Sequence, residues 1–290
     1  MGGSAMPNAH YKLVRLANGI FSVHSLAEEE TFHPVVGPVA EAQALYIQQL
    51  KLRQRLQAHA GEFVIWDVGL GAGGNVLSVF RATADLACPL RVVSFDRTTE
   101  ALHFALEHAA ELGYVEPYRG PAQDLLNHGR AAFRNGAQPA LWELQLGDFP
   151  GFLRGAQSAP APHAILFDAF SPAKNPAMWS APFFADLFRW LDPGRPCAMP
   201  TYSRSTLLRV TLLLAGFYVG IGHATGEKEE TTLAANTLDL LDQPLPRAWL
   251  RRAHRSRSAE PMREPVYRQA PLAPATWEKL QQHPQFNEIG

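Results

Sequence analysis

The sequence is poor in cysteine, in lysine and in long apolar segments. Its two cysteines, Cys88 and Cys197, stand far apart and form no CxxC or Cys/His pattern, which argues against a disulfide framework and against a zinc site. No apolar run approaches the ~20 residues of a membrane-spanning helix, and the first residues lack the features of a secretory signal. We therefore expect neither a membrane protein nor a secreted one, but a cytoplasmic protein without a metal site.

The sequence also lacks a large net charge: its 26 basic and 27 acidic residues leave a net charge of −1. Nucleic-acid-binding proteins usually carry a basic excess. The basic residues are unevenly placed, however: only five are lysines, and seven arginines lie in residues 247–268 beside two acidic residues. Since arginine binds phosphate through paired hydrogen bonds, the total alone does not exclude a nucleic-acid partner.

With 47% hydrophobic and 18% charged residues, the chain can bury a large core, which excludes wholesale disorder. Polarity alternates around Asn18-Gly19 and predicts a hairpin of residues 12–17 and 20–25. The apolar spacing that begins at Pro38 predicts a helix over residues 38–59. We expect three segments: an N-terminal hairpin-and-helix extension (1–60), an α/β domain (61–240) and an arginine-rich tail packed on it (241–290).

From residue 62 onward, apolar strand-like segments alternate with helical ones. The predicted strands are 63–68, 91–95, 141–146, 163–168 and 197–202, and the predicted helices are 75–86, 98–112, 182–191 and 205–215. Apolar strands that alternate with helices indicate a doubly wound, mostly parallel sheet covered on both faces. Residues 217–222 and 231–240 predict an antiparallel pair at one edge, and residues 275–282 predict a short helix in the tail.

A glycine-rich loop, GLGAGGN at residues 69–75, follows the first strand of the α/β domain and opens a helix. Such a loop lets a ligand approach the backbone and the free N–H groups of the helix. Gly69, Gly71 and Gly74 satisfy the dinucleotide pattern GxGxxG, and Asp96 lies 22 residues beyond Gly74, close to the distance of ~20 at which that fold places an acid on the ribose. Binding of NAD is therefore one interpretation, and a turn without a ligand is another.

The same loop also reads DxGxGxG, through Asp67, Gly69, Gly71 and Gly73. This pattern resembles the first motif of the class I methyltransferases, which bind S-adenosyl-L-methionine (SAM). A dinucleotide loop normally has an apolar residue at the position of Asp67, whereas a carboxylate there suits a ligand with a positively charged amino group. The loop therefore favours SAM over NAD.

Three acids, Asp96, Asp148 and Asp168, follow predicted strands, and ligands bind beyond the carboxyl ends of strands in an open α/β sheet. Asp96 suits the ribose hydroxyls. Asp148 stands where class I methyltransferases place the acceptor for the adenine amino group. Each of these acids could instead cap the helix that follows it.

Asp168 is the hardest of the three to explain as a cap, because it ends an apolar run and a carboxylate there loses solvation unless it has a partner. The loop that follows contains Pro172 and Pro176, which make it stiff and suit a fixed catalytic geometry. Phe170 could stack on a base or face a cationic group.

The stretch ILFDAFSPAKNPAMW, residues 165–179, resembles the hallmark of the methyltransferases of the MnmC family, which modify the wobble uridine of tRNA. Members of that family typically show D-G/A-F-S/A-P-x-K-N-P-x-x-W here. Other stretches are also similar to the family: residues 69–75, TYS at 201–203 with Arg209, AGF at 215–217, GEKEET at 226–231 and, more weakly, Asn18-Gly19 and Glu41. The resemblance spans about residues 60–235.

The chain departs from the family pattern at a few positions. Leu70, Ala72 and Gly74 stand where the loop often has phenylalanine, threonine and leucine, and Ala169 stands where two-domain members have glycine. The loop glycines and its asparagine are kept, so we expect the ligand site to be intact. Two-domain members also carry an FAD-dependent oxidase, for which 290 residues leave no room. The resemblance is thus to stand-alone methyltransferases, and FAD is not expected.

The resemblance implies a SAM-dependent N-methyltransferase that converts 5-aminomethyl-2-thiouridine, at the wobble position of tRNA, to its 5-methylaminomethyl form. It implies that Asp168 receives a proton from the amine or holds its N–H, and that Phe170 stacks on the uracil, while Asn175 and Tyr202 orient the substrate. The residues implied to bind SAM are Asp67, Gly69, Gly71, Gly73, Asn75, Asp96 and Asp148. The implied partners are the tRNA anticodon loop and the enzymes that act earlier on the same uridine, with no DNA and no membrane.

Within the tail, Arg251, Arg252 and Arg255 are our candidates for contacts with tRNA phosphates, and Trp249 stands among them. The alternative interpretation is a solvated, charged helix face. Other functions also remain open from the sequence: an aminopropyltransferase of the spermidine-synthase type, a NAD-binding oxidoreductase, or a protein that binds SAM without catalysis.

Overall fold

The computed structural model describes residues 10–156, 158–225 and 229–288, so residues 226–228 of the GEKEET stretch lie outside it. The chain begins with a three-stranded antiparallel sheet of β1 (Tyr11–Arg15), β2 (Phe21–Ser25) and β3 (Glu30–Thr31). Strands β1 and β2 pair in register from Tyr11 opposite Ser25 to Arg15 opposite Phe21. Gly19 has a φ of 84° in the turn between them. The predicted hairpin is confirmed.

The single helix predicted over residues 38–59 is wrong, because the segment is broken. It consists of α1 (Pro38–Ala42), a π-helical stretch (Gln43–Gln48) and α2 (Leu52–Ala58), and the left-handed Lys51, with a φ of 49°, separates the last two. The break lets Gln49 accept hydrogen bonds from the backbone N–H of His223 and from the Thr231 hydroxyl at the far edge of the main sheet. A contact distant in sequence thus overrides the local helical pattern.

The main sheet has eight strands: β4 (Phe63–Val68), β5 (Leu90–Asp96), β6 (Arg130–Asn135), β7 (Gln138–Leu146), β8 (Ala164–Phe167), β9 (Ala198–Thr201), β10 (Tyr218–Gly222) and β11 (Thr231–Ala235). Their order is β10-β11-β9-β8-β4-β5-β7-β6. The five central strands are parallel. The predicted antiparallel pair is confirmed as β10 and β11 at one edge, and β6, which we did not predict, pairs antiparallel with β7 at the other.

Within the described residues, ten further helices follow the extension: α3 (Gly74–Thr83), α4 (Glu100–Glu107), α5 (Ala109–Leu112), α6 (Arg119–His128), α7 (Phe149–Arg154), α8 (Ala181–Arg189), α9 (Thr206–Ala215), α10 (Trp249–Arg255), α11 (Pro274–Gln281) and α12 (Gln285–Glu288). Short 3-10 turns occupy Glu116–Tyr118, Pro176–Trp179 and Leu238–Leu240. In the described part of the chain, no helix combines the length and apolarity that crossing a membrane requires.

Two hydrophobic cores lie on opposite faces of the sheet. The first joins the N-terminal extension to α3, α4 and α6, with Tyr46 and Trp142 fully buried. The second joins α7, α8 and α9 to the tail, with Trp179 and Phe184 fully buried. Each such side chain stabilises the fold by about 1.5–3 kcal/mol relative to an exposed position. This two-sided covering is the arrangement predicted from the apolar strands.

Residues of the tail pack against the second core rather than wrapping loosely. Leu280 and Phe286 are buried there, and the amide of Gln285 bonds both the backbone N–H and the backbone C=O of Val219 on β10. Helix α11 matches the helix predicted over 275–282, whereas α10 and α12 were not predicted. The tail is therefore more helical than the sequence indicated.

Candidate active site

The strand order reverses beside β4, since the chain runs from β4 outward to β5 and β7 and then returns to β8 on the other side of β4. In doubly wound sheets, ligands bind beyond the carboxyl ends of the strands at such a reversal. A cavity of about 790 Å³ lies at this position. Its walls come from the ends of β4, β5, β7 and β8 and from the N-terminal segment of residues 10–41.

The glycine loop forms one wall of the cavity. Gly69, Gly71 and Gly73 have φ values of 93°, 50° and 77°, a region that favours glycine. A Cβ on Gly69 would lie 2.5 Å from the backbone oxygen of Asp168, so the loop packs directly against the loop that follows β8. Gly69 and Gly71 line the cavity, whereas Gly73 does not, and a Cβ on Gly73 would meet Leu102 and Leu77.

Asp96 lines the same wall, at the end of β5. Its carboxylate accepts hydrogen bonds from the backbone N–H groups of Gly71 at 2.8 Å, Arg97 at 2.7 Å and Thr98 at 3.3 Å. Burial raises the pKa of Asp96, and these hydrogen bonds oppose that rise. The carboxylate thus holds the glycine loop in place at the point where we predicted a ribose contact.

Asp168 is the first residue after β8 and faces the cavity, with 22% of its side chain exposed. The side-chain amide of Asn75, in the first turn of α3, donates to its Oδ2 at 2.7 Å. The structure therefore brings the catalytic candidate and the asparagine of the glycine loop together. The side-chain oxygen of Asn75, Oδ1, is buried in the cavity wall without a hydrogen-bond partner in the described residues.

His33 and Glu41 complete the surroundings of Asp168. The imidazole Nε2 of His33 lies 3.5 Å from Asp168 Oδ2, and its Nδ1 lies 3.7 Å from Glu41 Oε2. Sequence reasoning missed His33, because it stands in an irregular connection between β3 and α1 that carries no periodic or motif signal. Glu41 was noted only as a weak family match.

The three other substrate candidates near Asp168, namely Phe170, Asn175 and Tyr202, all line the cavity. The ring centroid of Phe170 is 5.8 Å from that of Phe32, so two aromatic rings stand together in the wall. The hydroxyl of Tyr202 donates to the backbone oxygen of Ala169 at 3.3 Å. All three thus face the same cavity as Asp168, and their contact with a substrate stays a prediction.

Asp67 and Asp148, in contrast, do not line the cavity. Asp67 is 1% exposed, accepts from the Ser94 hydroxyl at 2.7 Å, and its burial raises its pKa to about 7. Asp148 caps α7 by accepting from the backbone N–H of Gly151 at 2.9 Å, and it lies 3.7 Å from an Arg97 nitrogen. The geometry favours the capping interpretation for Asp148, and direct ligand contact by either acid stays a prediction.

Arg251, Arg252 and Arg255 are exposed on α10, while Trp249, at the start of that helix, is buried in the second core. None of these three arginines lines the cavity. A nitrogen of Arg252 is 4.0 Å from a carboxylate oxygen of Glu230. Their contact with a nucleic acid stays a prediction.

The cavity is strongly acidic. Among its lining residues in the described ranges, seven are carboxylic acids, whereas two are lysine or arginine. The acids are Glu28, Glu29, Glu30, Glu41, Asp96, Glu100 and Asp168, and the bases are Arg97 and Lys174. Lys174 is 3.2 Å from Glu29 and so neutralises one of the acids. Such a lining attracts cationic ligands.

Known proteins with this fold show the class to which the arrangement belongs. Residues 131–237 match a family described as S-adenosyl-L-methionine-dependent methyltransferase. The crystal structure of MNMC2 from Aquifex aeolicus aligns with a TM-score of 0.68 at 20% identity, over 97% of this chain and 86% of that one. A spermidine synthase aligns with a TM-score of 0.52 at 11% identity, over 93% and 84%. The chain has the class I SAM-dependent methyltransferase fold.

Proteins related in sequence point to one family within this fold. The tRNA 5-methylaminomethyl-2-thiouridine biosynthesis bifunctional protein MnmC of Methylibium petroleiphilum is 31% identical over 241 residues, which are 80% of this chain and 35% of that protein. MnmC of Pseudomonas fluorescens is 32% identical over 204 residues, or 63% and 29%. The chain spans about a third of the length of these relatives. It is a homologue of the MnmC proteins, which confirms the resemblance seen at residues 165–179.

Proposed function

We propose that the protein is a SAM-dependent N-methyltransferase that converts the 5-aminomethyl group of the tRNA wobble uridine to 5-methylaminomethyl. The observation that carries this proposal is Asp168, which faces an acidic cavity at the strand reversal and is held by Asn75 of the glycine loop. The homology to MnmC proteins, named for the biosynthesis of this nucleoside, supports the choice of substrate. The proposed reaction uses neither FAD nor a metal.

The cavity fits SAM in size and in chemistry. Its volume of about 790 Å³ is ample for a ligand of that size, and its acidic lining suits a molecule with a sulfonium and an amino group. A Cβ on Gly147, which lines the cavity beyond β7, would meet no atom within 4 Å, so open space lies beside this glycine. When bound, SAM supplies a methyl group on a sulfonium sulfur that is already a good leaving group.

Asp168 acts on the acceptor amine. An alkylamine has a pKa near ~10 and is mostly protonated at neutral pH, yet only the neutral amine has a free electron pair for attack. The Asp168 carboxylate accepts a hydrogen bond from an N–H of the amine, which directs the electron pair of the nitrogen at the methyl group. Asn75 fixes the orientation of that carboxylate through the 2.7 Å hydrogen bond. The contribution of the protein is thus mostly orientation and removal of water.

The aromatic rings of Phe32 and Phe170 give the uracil an apolar surface next to Asp168. Asn175 and Tyr202 line the same space and can orient the base. The uridine has to leave the anticodon stack to reach this position, as enzymes that act on bases require. Exposed arginines of α10 would contact the phosphates of the loop, and the reaction would take place in the cytoplasm after other enzymes have installed the aminomethyl group.

The decisive experiment is incubation of the protein with SAM and tRNA that carries 5-aminomethyluridine, followed by mass spectrometry of the nucleosides. We expect a product one methyl group heavier. Failure to form it, with a protein shown to bind S-adenosylhomocysteine, would refute the proposed substrate.

Parallel arms separate the other enzyme classes. Transfer of an aminopropyl group from decarboxylated SAM to a diamine would identify an aminopropyltransferase, the class to which the aligned spermidine synthase belongs by name. A rise in the melting temperature with NAD, and none with S-adenosylhomocysteine, would identify a dinucleotide-binding protein. Binding of S-adenosylhomocysteine without any transfer would indicate a protein that binds the cofactor without catalysis.

A further inference from the structure

His33 occupies an unusual place in the cavity wall. It lies in the connection between β3 and α1, its side chain is 9% exposed, and its φ is 50°, in the left-handed region that residues other than glycine rarely adopt. Nε2 points to Asp168 at 3.5 Å and Nδ1 points to Glu41 at 3.7 Å. One imidazole thus joins the catalytic candidate to a second carboxylate that comes from a different element.

The charged neighbours of His33 favour its protonated form. Burial lowers the pKa of His33, but the Asp168 and Glu41 carboxylates oppose this effect, and the resulting pKa is raised above its ordinary value. Tyr46, from the π-helical stretch, and Tyr202, after β9, interact with the same two carboxylates and stay protonated, because burial and these charges raise their pKa values. A proton placed on His33 would therefore lie between two negative charges.

Methylation of an amine requires such a place for a proton. The substrate enters as an ammonium ion, loses one proton, and then forms an N–C bond while the C–S bond of the donor breaks. The product is a secondary ammonium ion, and one proton is left on the protein. A carboxyl group has an ordinary pKa of ~4, far below the ~10 of an amine. Asp168 alone is therefore a poor final acceptor for that proton.

We propose that His33, held by Glu41, is the positioning residue that acts through Asp168 and stores the proton removed from the substrate amine. The step begins with neutral His33, whose ring proton is on Nδ1, the nitrogen that faces Glu41. The proton leaves the amine nitrogen, passes to the Asp168 carboxylate and comes to rest on the free electron pair of His33 Nε2, which makes the ring an imidazolium between two carboxylates. The proton then returns to solvent before the next cycle. This inference rests on the proposed function, since it specifies how the same site activates the amine. The separations of 3.5 and 3.7 Å are longer than formed hydrogen bonds, and catalytic hydrogen bonds are often long in the ligand-free site and tighten when substrate binds.

The test is the pH dependence of kcat/KM for methylation of an anticodon stem-loop that carries aminomethyluridine, from pH 6.5 to 9.5. We expect His33→Gln to lose about 10²-fold at pH 7, within the range of general-base effects. The loss should shrink below about tenfold at pH 9.5, because a substantial part of the amine is then neutral without help. Glu41→Gln should show the same trend with a smaller loss.

His24→Gln is the matched control. His24 stands on β2 of the N-terminal sheet, which directly precedes His33 in the chain. Its Nδ1 lies 2.8 Å from the Thr31 hydroxyl, and it does not line the cavity. If the His33 substitution lowered kcat/KM only by disturbing the N-terminal segment, His24→Gln should show a similar loss of kcat/KM, and that loss should be independent of pH. An equal and pH-independent loss in His33→Gln and His24→Gln, or an unchanged profile in His33→Gln, overturns the proposal.

A second measurement does not depend on activity. NMR titration of the His33 imidazole in the ligand-free protein should give a pKa above 6.5 that falls in both Asp168→Asn and Glu41→Gln. A value that neither variant changes overturns the proposed pairing. If the wild-type protein methylates no aminomethyluridine while this titration behaves as expected, the proposed function is wrong and the pairing of His33 with the two carboxylates stands.

Discussion

Asp67 and Asp168 lie at the carboxyl ends of neighbouring strands but differ in burial and in hydrogen-bond partners. Asp67, on β4, is 1% exposed beneath the cavity wall, with one oxygen bonded to Ser94 and the other without a partner in the described residues. Asp168, after β8, is partly exposed to the cavity and is held by Asn75. The first is closed off from the cavity, whereas the second faces it, where the proposed substrate would bind.

Asp168→Asn keeps the size of the side chain but removes its negative charge. We expect kcat to fall by 10²–10⁴-fold, the usual range for a general base, because the amine loses its acceptor. Affinity for S-adenosylhomocysteine, measured by calorimetry, should change much less, since the glycine loop and Asp96 remain. A kcat within threefold of wild type would reject the role of Asp168.

Asp67 makes stability depend on pH. Its folded pKa of about 7 lies above 3.8, the ordinary pKa of an aspartate in an unfolded chain. The folded state therefore binds more protons between these values, and the free energy of unfolding falls as the pH rises through that window. Asp67→Asn does not titrate, so its free energy of unfolding relative to wild type should increase by about 1.4 kcal/mol for each pH unit from pH 5 to about pH 7, and then level off toward pH 8.

Urea unfolding of both proteins at several pH values measures this difference. Asp124→Asn, an exposed substitution on α6, controls for the loss of one acidic residue. A difference between Asp67→Asn and wild type that stays constant across the pH range would show that the buried carboxyl group is not the source.

At the scale of elements, the site is a contact between two loops that the sequence separates by almost a hundred residues. The glycine loop after β4 and the loop after β8 touch at Gly69 and Asp168, where even a Cβ would lie 2.5 Å from a backbone oxygen. Neither loop can therefore move without the other. The position of the Asp168 backbone thus depends on the absence of a side chain at Gly69.

Gly69→Ala should consequently lower both stability and turnover. The added methyl group has to displace the Asp168 backbone, and we expect a loss of about 1–3 kcal/mol in the free energy of unfolding beyond the backbone cost. Gly61→Ala is a close control: its φ is 92° against 93° for Gly69, and a Cβ there meets nothing within 4 Å. Chemical unfolding of both variants isolates the contact, and equal losses would contradict its importance.

Elements with a strong local signal could be predicted from the sequence. The apolar run of β4 was assigned with the bounds Phe63–Val68 that the structure shows, and β10 and α9 were placed to within one residue. Strand β6 was missed because its alternation is visible in the structure and not in the residue types: exposed and inward positions alternate over Arg130–Asn135, but alanine stands at one of each and an asparagine is the last inward residue. The break after Gln48 was missed because the apolar spacing continues across it.

The residues of the candidate site likewise fall into two groups, those that stand in sequence motifs and those that only the fold brings together. Asp168, Asn75 and the loop glycines stand in motifs, so the sequence located them. His33 reaches the site only through the fold of the N-terminal segment, and its neighbours Asp168 and Glu41 come from two other elements. Contacts of that kind leave no periodicity in the chain. They become visible only when the three-dimensional arrangement is known.

At the scale of the whole molecule, the net charge of −1 is a sum of two unlike regions. The acidic cavity suits a cationic cofactor and a cationic amine, whereas a phosphate backbone would be repelled there. The arginines of residues 247–268 supply positive charge elsewhere on the chain. A nucleic-acid substrate would thus be held by one region while a single base enters the other.

Replacing Arg251, Arg252 and Arg255 together by alanine tests this division. We expect weaker tRNA binding and a slope of log Kd against log salt that is lower by about 2–3, because each phosphate contact releases about one counterion. Removal of the exposed arginines Arg81, Arg130 and Arg134 changes the total charge equally and is the control. Identical slopes in the two triple variants would place the tRNA contact elsewhere.

The N-terminal segment that walls the cavity meets partners made much later in the chain. Tyr46 bonds the backbone of Phe167 across 121 residues, Glu30 receives the Ser171 hydroxyl across 141, and Lys174 reaches Glu29 across 145. At ribosomal speeds of 5–20 residues per second, the segment waits roughly 7–30 s for these partners to be synthesised. This segment thus leaves the ribosome well before the partners on which it docks, and its wall of the cavity is completed only after the loop that follows β8 has emerged.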